Sequence, residues 1–324
     1  VTNSNKSYSG KTEYMKAVIC TKYGPPEVLQ LREVEKPVPK DNEVLVKIEA
    51  TTAHIGDTKI RRFEPGLGAL RDFFYKPLMR FVIGFKGPRK KILGMEFAGD
   101  VESVGKKVSK FKPGDAVFAT TELRFGTYAE YCCIPEEGIL TLKPENMTYA
   151  EAAPVSNAGL TALINLRKAN IQNGHKVLIY GASGSVGTYA VQIAKHFGAE
   201  VFGVCSTTNV EMVRSLGADT VIDYTKEDFT VRTDKYDVIF DAVGKIKSSK
   251  RKKALKITGA YLSSLALSGN IILKVEDLEY LKDLCERGKL RTVIDKIYSI
   301  DQIVEAHRYV DRGHKKGNVV ITIK

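Results

Sequence analysis

The stretch Lys176-Val-Leu-Ile-Tyr180-Gly181-Ala-Ser-Gly184-Ser-Val-Gly187 decides the fold. Lys176–Tyr180 reads as a short buried strand, and Val186–His196 carries apolar residues at helical spacing. A glycine-rich turn between a strand and a helix is the setting in which such a motif has physical meaning. Glycines permit a tight turn and a close approach of backbone to ligand. The first amides of the helix lack intrahelical partners, and its dipole is positive there, so a pyrophosphate can be received. Gly187 lets the helix pack closely on the strand. The spacing departs from a strict G-x-G-x-x-G, so the motif by itself also fits an ordinary strand-to-helix turn.

The sequence that follows selects between these readings. Glu200–Cys205, Thr220–Ile222, Tyr236–Asp241 and Ala260–Leu265 read as strands, and Asn209–Leu216 as a helix capped by Thr208 or Asn209. Alternating strands and helices imply an α/β domain with a parallel sheet covered by helices. Sites for NAD usually carry an Asp or Glu ~20 residues after the glycines, bonded to the ribose 2′-OH. Here the strand ends Val204-Cys-Ser-Thr-Thr-Asn209, without a carboxylate. Hydroxyls and an amide can donate to a 2′-phosphate that a carboxylate would repel, which favours NADP(H) over NAD(H). Ser206–Asn209 can equally cap the next helix, and the two roles are compatible. Arg214 either adds charge or faces solvent.

The first third is different. Lys16–Thr21 reads as a strand, Tyr23–Pro26 as a turn, and Glu43-Val-Leu-Val-Lys-Ile-Glu49 alternates as a half-buried strand. Phe111-Lys-Pro-Gly-Asp115 is a turn between strands Phe97–Val104 and Ala116–Ala119. This part is β-rich. Towards the end, Glu276–Arg287 is an amphipathic helix stopped by Gly288. Ser299-Ile-Asp-Gln302 is a capping box opening a helix to about Arg312, and Asn318–Ile323 is a final strand.

The composition is that of a globular protein: 324 residues, 43% hydrophobic and 27% charged, which excludes wholesale disorder and favours two domains. No apolar run reaches the ~18–20 residues needed to span a bilayer. Val1–Tyr14 is polar and lacks the apolar core of a secretory signal, so the expectation is a flexible leader or a tag remnant. Five scattered cysteines do not form a disulfide framework, and a reducing cytoplasm fits. Cys132-Cys133 invites a redox reading, but neighbours on a strand point to opposite faces, which favours packing. The net charge of +12 is spread along the chain and does not choose between nucleic acid and a small anion.

The chain resembles the medium-chain dehydrogenase/reductase superfamily, in its zinc-free quinone-oxidoreductase (ζ-crystallin-like) branch, from about Met15 to Lys324. The resemblance rests on Met15-Lys-Ala-Val18, Gly24-Pro-Pro-Glu-Val-Leu29, Leu93-Gly-Met-Glu-Phe-Ala-Gly99 and Val101-Glu-Ser-Val-Gly105. It continues through Phe111–Asp115, Gly126-Thr-Tyr-Ala-Glu-Tyr131, Gly159-Leu-Thr-Ala162, the glycine turn with Gln192 and Lys195, and Asp241-Ala-Val-Gly244. It implies a GroES-like catalytic domain (15–147 with 290–324) and a Rossmann, doubly wound NADP-binding domain (148–289) entered by a helix over Leu160–Asn170. The active site is expected between them. Relatives carry a longer segment, with a sixth strand, between Leu265 and Glu276. Family dimers often pair through that edge, so a homodimer is implied on weakened ground.

The resemblance also implies site residues. Gly181, Gly184, Ser185, Val186 and Gly187 would receive the pyrophosphate. Ser206, Thr207 and Asn209 would hold the 2′-phosphate with Tyr224 nearby. Thr161, Val243, Gly244 and Ser264 would approach the nicotinamide, and Lys315 and Asn318 would close on the cofactor. Zinc-dependent relatives use Cys and His ligands. The matching positions here are His54 in Ala53-His-Ile-Gly-Asp57, Met95, and the run Pro154-Val-Ser-Asn157, so no metal is expected. Without a metal, alcohol oxidation is disfavoured, and hydride transfer from NADPH to a quinone or an α,β-unsaturated carbonyl is the expected reaction. The catalytic candidates are His54, Asn157 and Tyr128. His54 could hydrogen-bond a carbonyl or donate a proton, or be a satisfied histidine at a turn. Asn157 and Tyr128 could equally be packing in the cleft wall. No Ser-His-Asp set or carboxylate pair supports hydrolysis.

Two segments stay open. Arg71-Asp-Phe-Phe-Tyr-Lys-Pro-Leu-Met-Arg80 with Gly87-Pro-Arg-Lys-Lys91 is a mobile wall over the substrate, a surface helix with its aromatic face inward, or a membrane contact. Lys245-Ile-Lys-Ser-Ser-Lys-Arg-Lys-Lys253 is a solvated helix face or an RNA contact. The alternatives to a quinone or enone reductase are an RNA-binding protein or an NADPH sensor on this fold and, less favoured, a zinc-type alcohol dehydrogenase.

Overall fold

The alternation around Val44–Ile48 and the buried run Val177–Ile179 each seed a sheet. The computed structural model describes residues 12–64, 78, 80–231, 235–264 and 273–323. The chain opens with a hairpin of β1 (Tyr14–Cys20) and β2 (Leu29–Glu35), paired from Tyr14↔Glu35 to Cys20↔Leu29. Then come β3 (Glu43–Thr52), helix Ile55–Arg62, β4 (Glu96–Val104), β5 (Ala116–Thr120), β6 (Tyr131–Pro135) and β7 (Ile139–Leu142). The parallel strands follow: β8 (Lys176–Tyr180), β9 (Glu200–Cys205), β10 (Thr220–Asp223), β11 (Tyr236–Asp241) and β12 (Leu255–Ser263). The chain ends with β13 (Ile294–Ser299), helix Ile303–Asp311 and β14 (Asn318–Thr322).

The first sheet has the order β13-β14-β3-β4-β5-β7. One edge of β3 is shared: β6 pairs with residues 43–47 and β14 with residues 50–52. The last strands thus return to the first sheet. Its core gathers Val46, Ile48, Phe97 and Val117 with Ile303, Ala306 and Val310 of helix Ile303–Asp311.

The second sheet has the order β10-β9-β8-β11-β12, all parallel. Period-two alternation along β8 sends Val177 and Ile179 to one face and Leu178 to the other. Val177 and Ile179 meet Ala190, Val191, Ile193 and Ala194 of helix Ser185–His196, and Leu160 and Leu163 of helix Ala158–Lys168. Leu178 meets Phe202, Ile222, Tyr236 and Ile239. The strand order reverses at β8, and ligands bind doubly wound sheets outside the carboxyl ends of the strands at such a point. Both faces are covered, so truncating a fully buried residue such as Ile193 to Ala costs about 2–5 kcal/mol.

Several expectations need correction. The leader was expected to end at Tyr14, yet Tyr14 opens β1, and Lys36 holds Glu13 through its amide and its ammonium. Val1–Lys11 lie outside the described residues. The strand expected to start at Ala260 starts at Leu255, because an exposed edge strand carrying Lys256, Ile257 and Thr258 does not read as buried. Leu265 lies outside the described residues, as do Arg71–Pro77. The capping box at Ser299 forms, but it opens a 3-10 turn before the α-helix. Among the described residues, no helix is long and apolar enough to cross a membrane.

Candidate active site

The glycine turn leaves β8 in a left-handed conformation, with Gly181 at φ +81°. The Gly181 and Ala182 amides donate to the Val204 carbonyl at 3.1 and 3.0 Å, tying the turn to β9. The first helical bond is Thr188 N to Gly184 O, 2.9 Å. The amides of Val186 and Gly187 therefore find no protein acceptor among the described residues, as is usual in the first turn of a helix. A Cβ on Gly187 would stand 2.1 Å from the Gly181 carbonyl oxygen, so only glycine lets helix and strand meet this closely.

The loop that leads into β14 of the first sheet lies over this turn. Gly317 N donates to Ser183 O at 2.8 Å, and Ser185 Oγ donates to Gly317 O at 2.9 Å. Lys315 Nζ donates to Gly317 O at 2.7 Å and to Ser185 Oγ. Burial lowers the Lys315 ammonium to about 8, with Glu96 and Asp295 opposing the shift. Asn318 stays behind the loop, almost fully buried, with Nδ2 on Val293 O at 3.1 Å.

Between this loop and the ends of β8 and β9 lies a cavity of about 520 Å³. Gly181, Gly184, Ser206, Asn209, Tyr224, Val243 and Lys315 line it. So do Ser183, Thr208, Lys245 and His314, which sequence reasoning missed. No Asp or Glu is among the lining residues. Asn209 Nδ2 donates to Ser183 Oγ (3.2 Å) and Ser206 Oγ (3.1 Å), leaving both hydroxyl protons free to donate elsewhere. Thr207 needs correction: its hydroxyl donates to Asp223 Oδ2 at 2.6 Å, and Thr208, not Thr207, lines the cavity.

The loop after β11 is fixed by Asp241, whose carboxylate is fully buried. It accepts from the amides of Val243 (3.1 Å), Gly244 (2.7 Å) and Ile246 (2.8 Å) and from the Tyr261 hydroxyl. Ser264 Oγ donates to Ala242 O at 2.9 Å, tying the ends of β11 and β12. Asp241→Ala strands three amides, and we expect a stability loss of about 2–3 kcal/mol by calorimetry together with weaker cofactor binding. An unchanged melting temperature would contradict this role.

A second cluster lies beside Lys315. His54 caps helix Ile55–Arg62: its Nδ1 accepts from Gly56 N at 3.0 Å, which places the ring proton on Nε2. Burial, with Lys315 and Lys59, holds its pKa at about 3. That shift favours the neutral imidazole, with Nε2 as its hydrogen-bond donor. Glu96 is buried, with Oε1 accepting from Thr52 Oγ and Oε2 without a partner. Burial raises its carboxyl to about 8, and the Asn157 backbone amide donates to it. Asn157 is half-buried and its carboxamide makes no bond among the described residues, as is true of the half-buried Thr161 hydroxyl.

Tyr128 corrects the third catalytic candidate. It is fully buried, and its hydroxyl meets Thr52 O, Asp57 Oδ2 and His307 Nε2, each at 3.1 Å. It braces the wall and does not reach a substrate. Burial raises Asp57 to about 7, so the folded chain binds a proton that the unfolded chain releases near 4. Stability drawn from that neutral carboxyl declines as pH rises between about 4 and about 7, by up to ~1.4 kcal/mol per pH unit. We therefore expect the melting-temperature deficit of Asp57→Asn to shrink from pH 5 to pH 8; a constant deficit would contradict a protonated Asp57 carboxyl.

Comparison with known proteins places this geometry. Residues 40–145 match the alcohol dehydrogenase GroES-like domain, and residues 185–291 match the zinc-binding dehydrogenase family. The chain is 36% identical over 328 residues to the 2-methylene-furan-3-one reductase of Solanum lycopersicum, covering 95% of this chain and 79% of that protein. It is 32% identical to the NADPH-dependent alkenal/one oxidoreductase, chloroplastic, of Arabidopsis thaliana, with the same coverage. The quinone oxidoreductase structure from Coxiella burnetii superposes with a TM-score of 0.83 at 29% identity, over 96% of this chain and all of that one. The chain belongs to the medium-chain dehydrogenase/reductase superfamily, in its quinone-oxidoreductase branch.

This superfamily joins a GroES-like domain to an NAD(P)-binding parallel-sheet domain in an oxidoreductase, as the two sheets here do. A bound zinc does not fit this member. At the three corresponding places His54 Nδ1 is engaged by Gly56 N, Met95 is a buried thioether, and Ser156 Oγ donates to Ala119 O and Ala153 O. The cysteines do not serve either: Cys132 and Cys133 are free, and burial pushes their thiols to about 12 and about 11.

Proposed function

We propose that the chain is an NADPH-dependent, metal-independent reductase of quinones or α,β-unsaturated carbonyls. The observation that carries this reading is the carboxylate-free cavity at the glycine turn. There a 2′-phosphate would meet the hydroxyls of Ser183, Ser206 and Thr208 and the ammonium of Lys245. The relatives' names supply the acceptor class: a 2-methylene-furan-3-one reductase, an alkenal/one oxidoreductase and quinone oxidoreductases.

When bound, NADPH supplies the hydride. The amides of Val186 and Gly187 with Lys315 would hold the pyrophosphate, Tyr224 would flank the adenosine end, and Thr161, Val243, Gly244 and Ser264 would lie toward the nicotinamide. The loop through Gly317 would close over one side of the bound cofactor. His54 Nε2 and the Asn157 carboxamide are donors suited to hold the acceptor's carbonyl oxygen, where negative charge develops. Burial lowers the Lys315 ammonium and raises the Glu96 carboxyl toward each other, so this pair would be placed to pass a proton beside the cleft. The division at 15–147 with 290–324 against 148–289 belongs to the same reading, and so does a homodimer, for which β12 offers an open edge among the described strands. All five cysteines are free, so a reducing compartment fits, whether the cytoplasm or an organelle.

The RNA-binding alternative loses ground on its own residues. In the basic helix Ser248–Ala254 and its flank, Lys250 pairs with Asp228, Lys256 pairs with Asp237, and Arg251 stacks on Tyr261. The test is consumption of NADPH with 1,2-naphthoquinone, 9,10-phenanthrenequinone and a short enone. Turnover of at least one acceptor class is expected. Tight NADPH binding with turnover of none would replace the reductase by a sensor.

A further inference from the structure

The segment described at Leu78 and Arg80–Lys91 has no part in the site described above. It is helical at Leu78 and Arg80–Ile83 and ends at Gly84, whose amide donates to Arg80 O at 2.9 Å. Leu78, Phe81, Val82 and Phe85 are 59%, 64%, 64% and 64% exposed. The i, i+3 and i+4 spacing of Leu78, Phe81 and Val82 puts these three on one side of the helix, and Phe85 is exposed just beyond its end. Single exposed apolar residues are ordinary, but a contiguous aromatic and aliphatic stripe marks a contact surface. The aromatic residues Phe73, Phe74 and Tyr75, on which an inward aromatic face was expected, lie outside the described residues.

The charge around this stripe is of one sign. Arg80, Lys86, Arg89, Lys90 and Lys91 are all exposed, and none forms an ion pair with a described residue. No Asp or Glu occurs from Phe73 to Met95. The segment is also braced. Tyr23 OH donates to Gly84 O at 2.9 Å, Arg89 N to Ile83 O at 2.7 Å, and Cys20 N to Lys91 O at 2.7 Å. Arg80 lies over the Phe63 ring. The outward stripe is therefore held by β1 and by helix Ile55–Arg62 with its Phe63 cap.

We propose that this surface docks on an anionic lipid bilayer. Aromatic and aliphatic side chains enter the boundary between headgroups and acyl chains, while the flanking cations meet lipid phosphates and carboxylates. A second copy of the chain would set five cations against five, which disfavours self-association through this face. A nucleic acid would use the cations but leave Leu78 and Val82 in water.

The test is sedimentation of the full chain with large unilamellar vesicles of phosphatidylcholine alone, or with about 30% phosphatidylserine. We expect binding to the serine-containing vesicles at least about tenfold tighter than to the neutral ones, weakening at high salt. The pair Phe81→Ser and Phe85→Ser should lose at least about tenfold of it with an unchanged melting temperature, and Lys90→Gln with Lys91→Gln should lose a smaller part. Absence of binding to either vesicle, or binding that the phenylalanine pair does not affect, would overturn the proposal. So would concentration-dependent self-association that the same pair abolishes, or RNA binding without vesicle binding.

Discussion

Ser206→Asp lowers kcat/KM for NADPH by about 100-fold and leaves that for NADH unchanged or improved. Ser206 stands just beyond β9, in the cavity, and its hydroxyl accepts from Asn209 Nδ2. A carboxylate there can accept the same bond, so the local fold survives the exchange. Its charge would face a phosphate. One like-charge pair about 5 Å apart costs about 3 kcal/mol at an effective dielectric of 20, which is about two decades in affinity. For NADH the sign reverses, because the same carboxylate can accept from the ribose 2′-OH. Steady-state rates with one acceptor and both cofactors read the effect directly. Equal losses for the two cofactors would show that Ser206 does not face the 2′ position.

Gly187→Ala is expected to be the most damaging single change in the turn, and Gly184→Ala a mild one. The added methyl at 187 would lie 2.1 Å from Gly181 O and 2.9 Å from the backbone of Ala182. Backbone cannot rotate away as a side chain can, so helix Ser185–His196 must move off β8. Overpacking of this kind costs typically 1–3 kcal/mol, and here it also displaces the two free amides. We expect a lower melting temperature and a loss of NADPH affinity on the order of 100-fold. At 184 the nearest atom to a new Cβ is 3.5 Å away and φ is −82°, so stability should change by less than about 0.5 kcal/mol. Any loss of NADPH affinity in that variant then measures how closely the cofactor approaches the turn. Equal destabilisation by the two changes would contradict the packing argument.

These residues also show how far the sequence could be read. Strands such as β8, β9 and β11 were legible because buried parallel strands are short apolar runs bounded by turns. β12 was half legible, because its first residues form an exposed edge. β2, β6, β7 and β13 are irregular in burial or short, and periodicity says little about them. In the site, position along the chain located Ser206 and Asn209 but could not tell which neighbouring threonine points inward. That depends on Asp223, which lies one strand away and captures Thr207. Lys245 and His314 reach the cavity from loops remote in sequence, so no local pattern announces them. Glu96 stood in a motif that was read, yet its buried, half-partnered carboxyl comes only from the packing of Thr52, Asn157 and Lys315 around it. Tyr128 shows the opposite error, a polar aromatic near a cleft whose hydroxyl is already consumed by three partners.

The central claim is an NADPH-preferring hydride transfer without metal. Its most direct test compares the rates of NADPH and NADH consumption by the unaltered chain with 9,10-phenanthrenequinone and a short enone, with and without a chelator. The account predicts kcat/KM at least about tenfold higher with NADPH, unaffected by the chelator. Equal rates with the two cofactors, or activity lost to the chelator and restored by zinc, would contradict it.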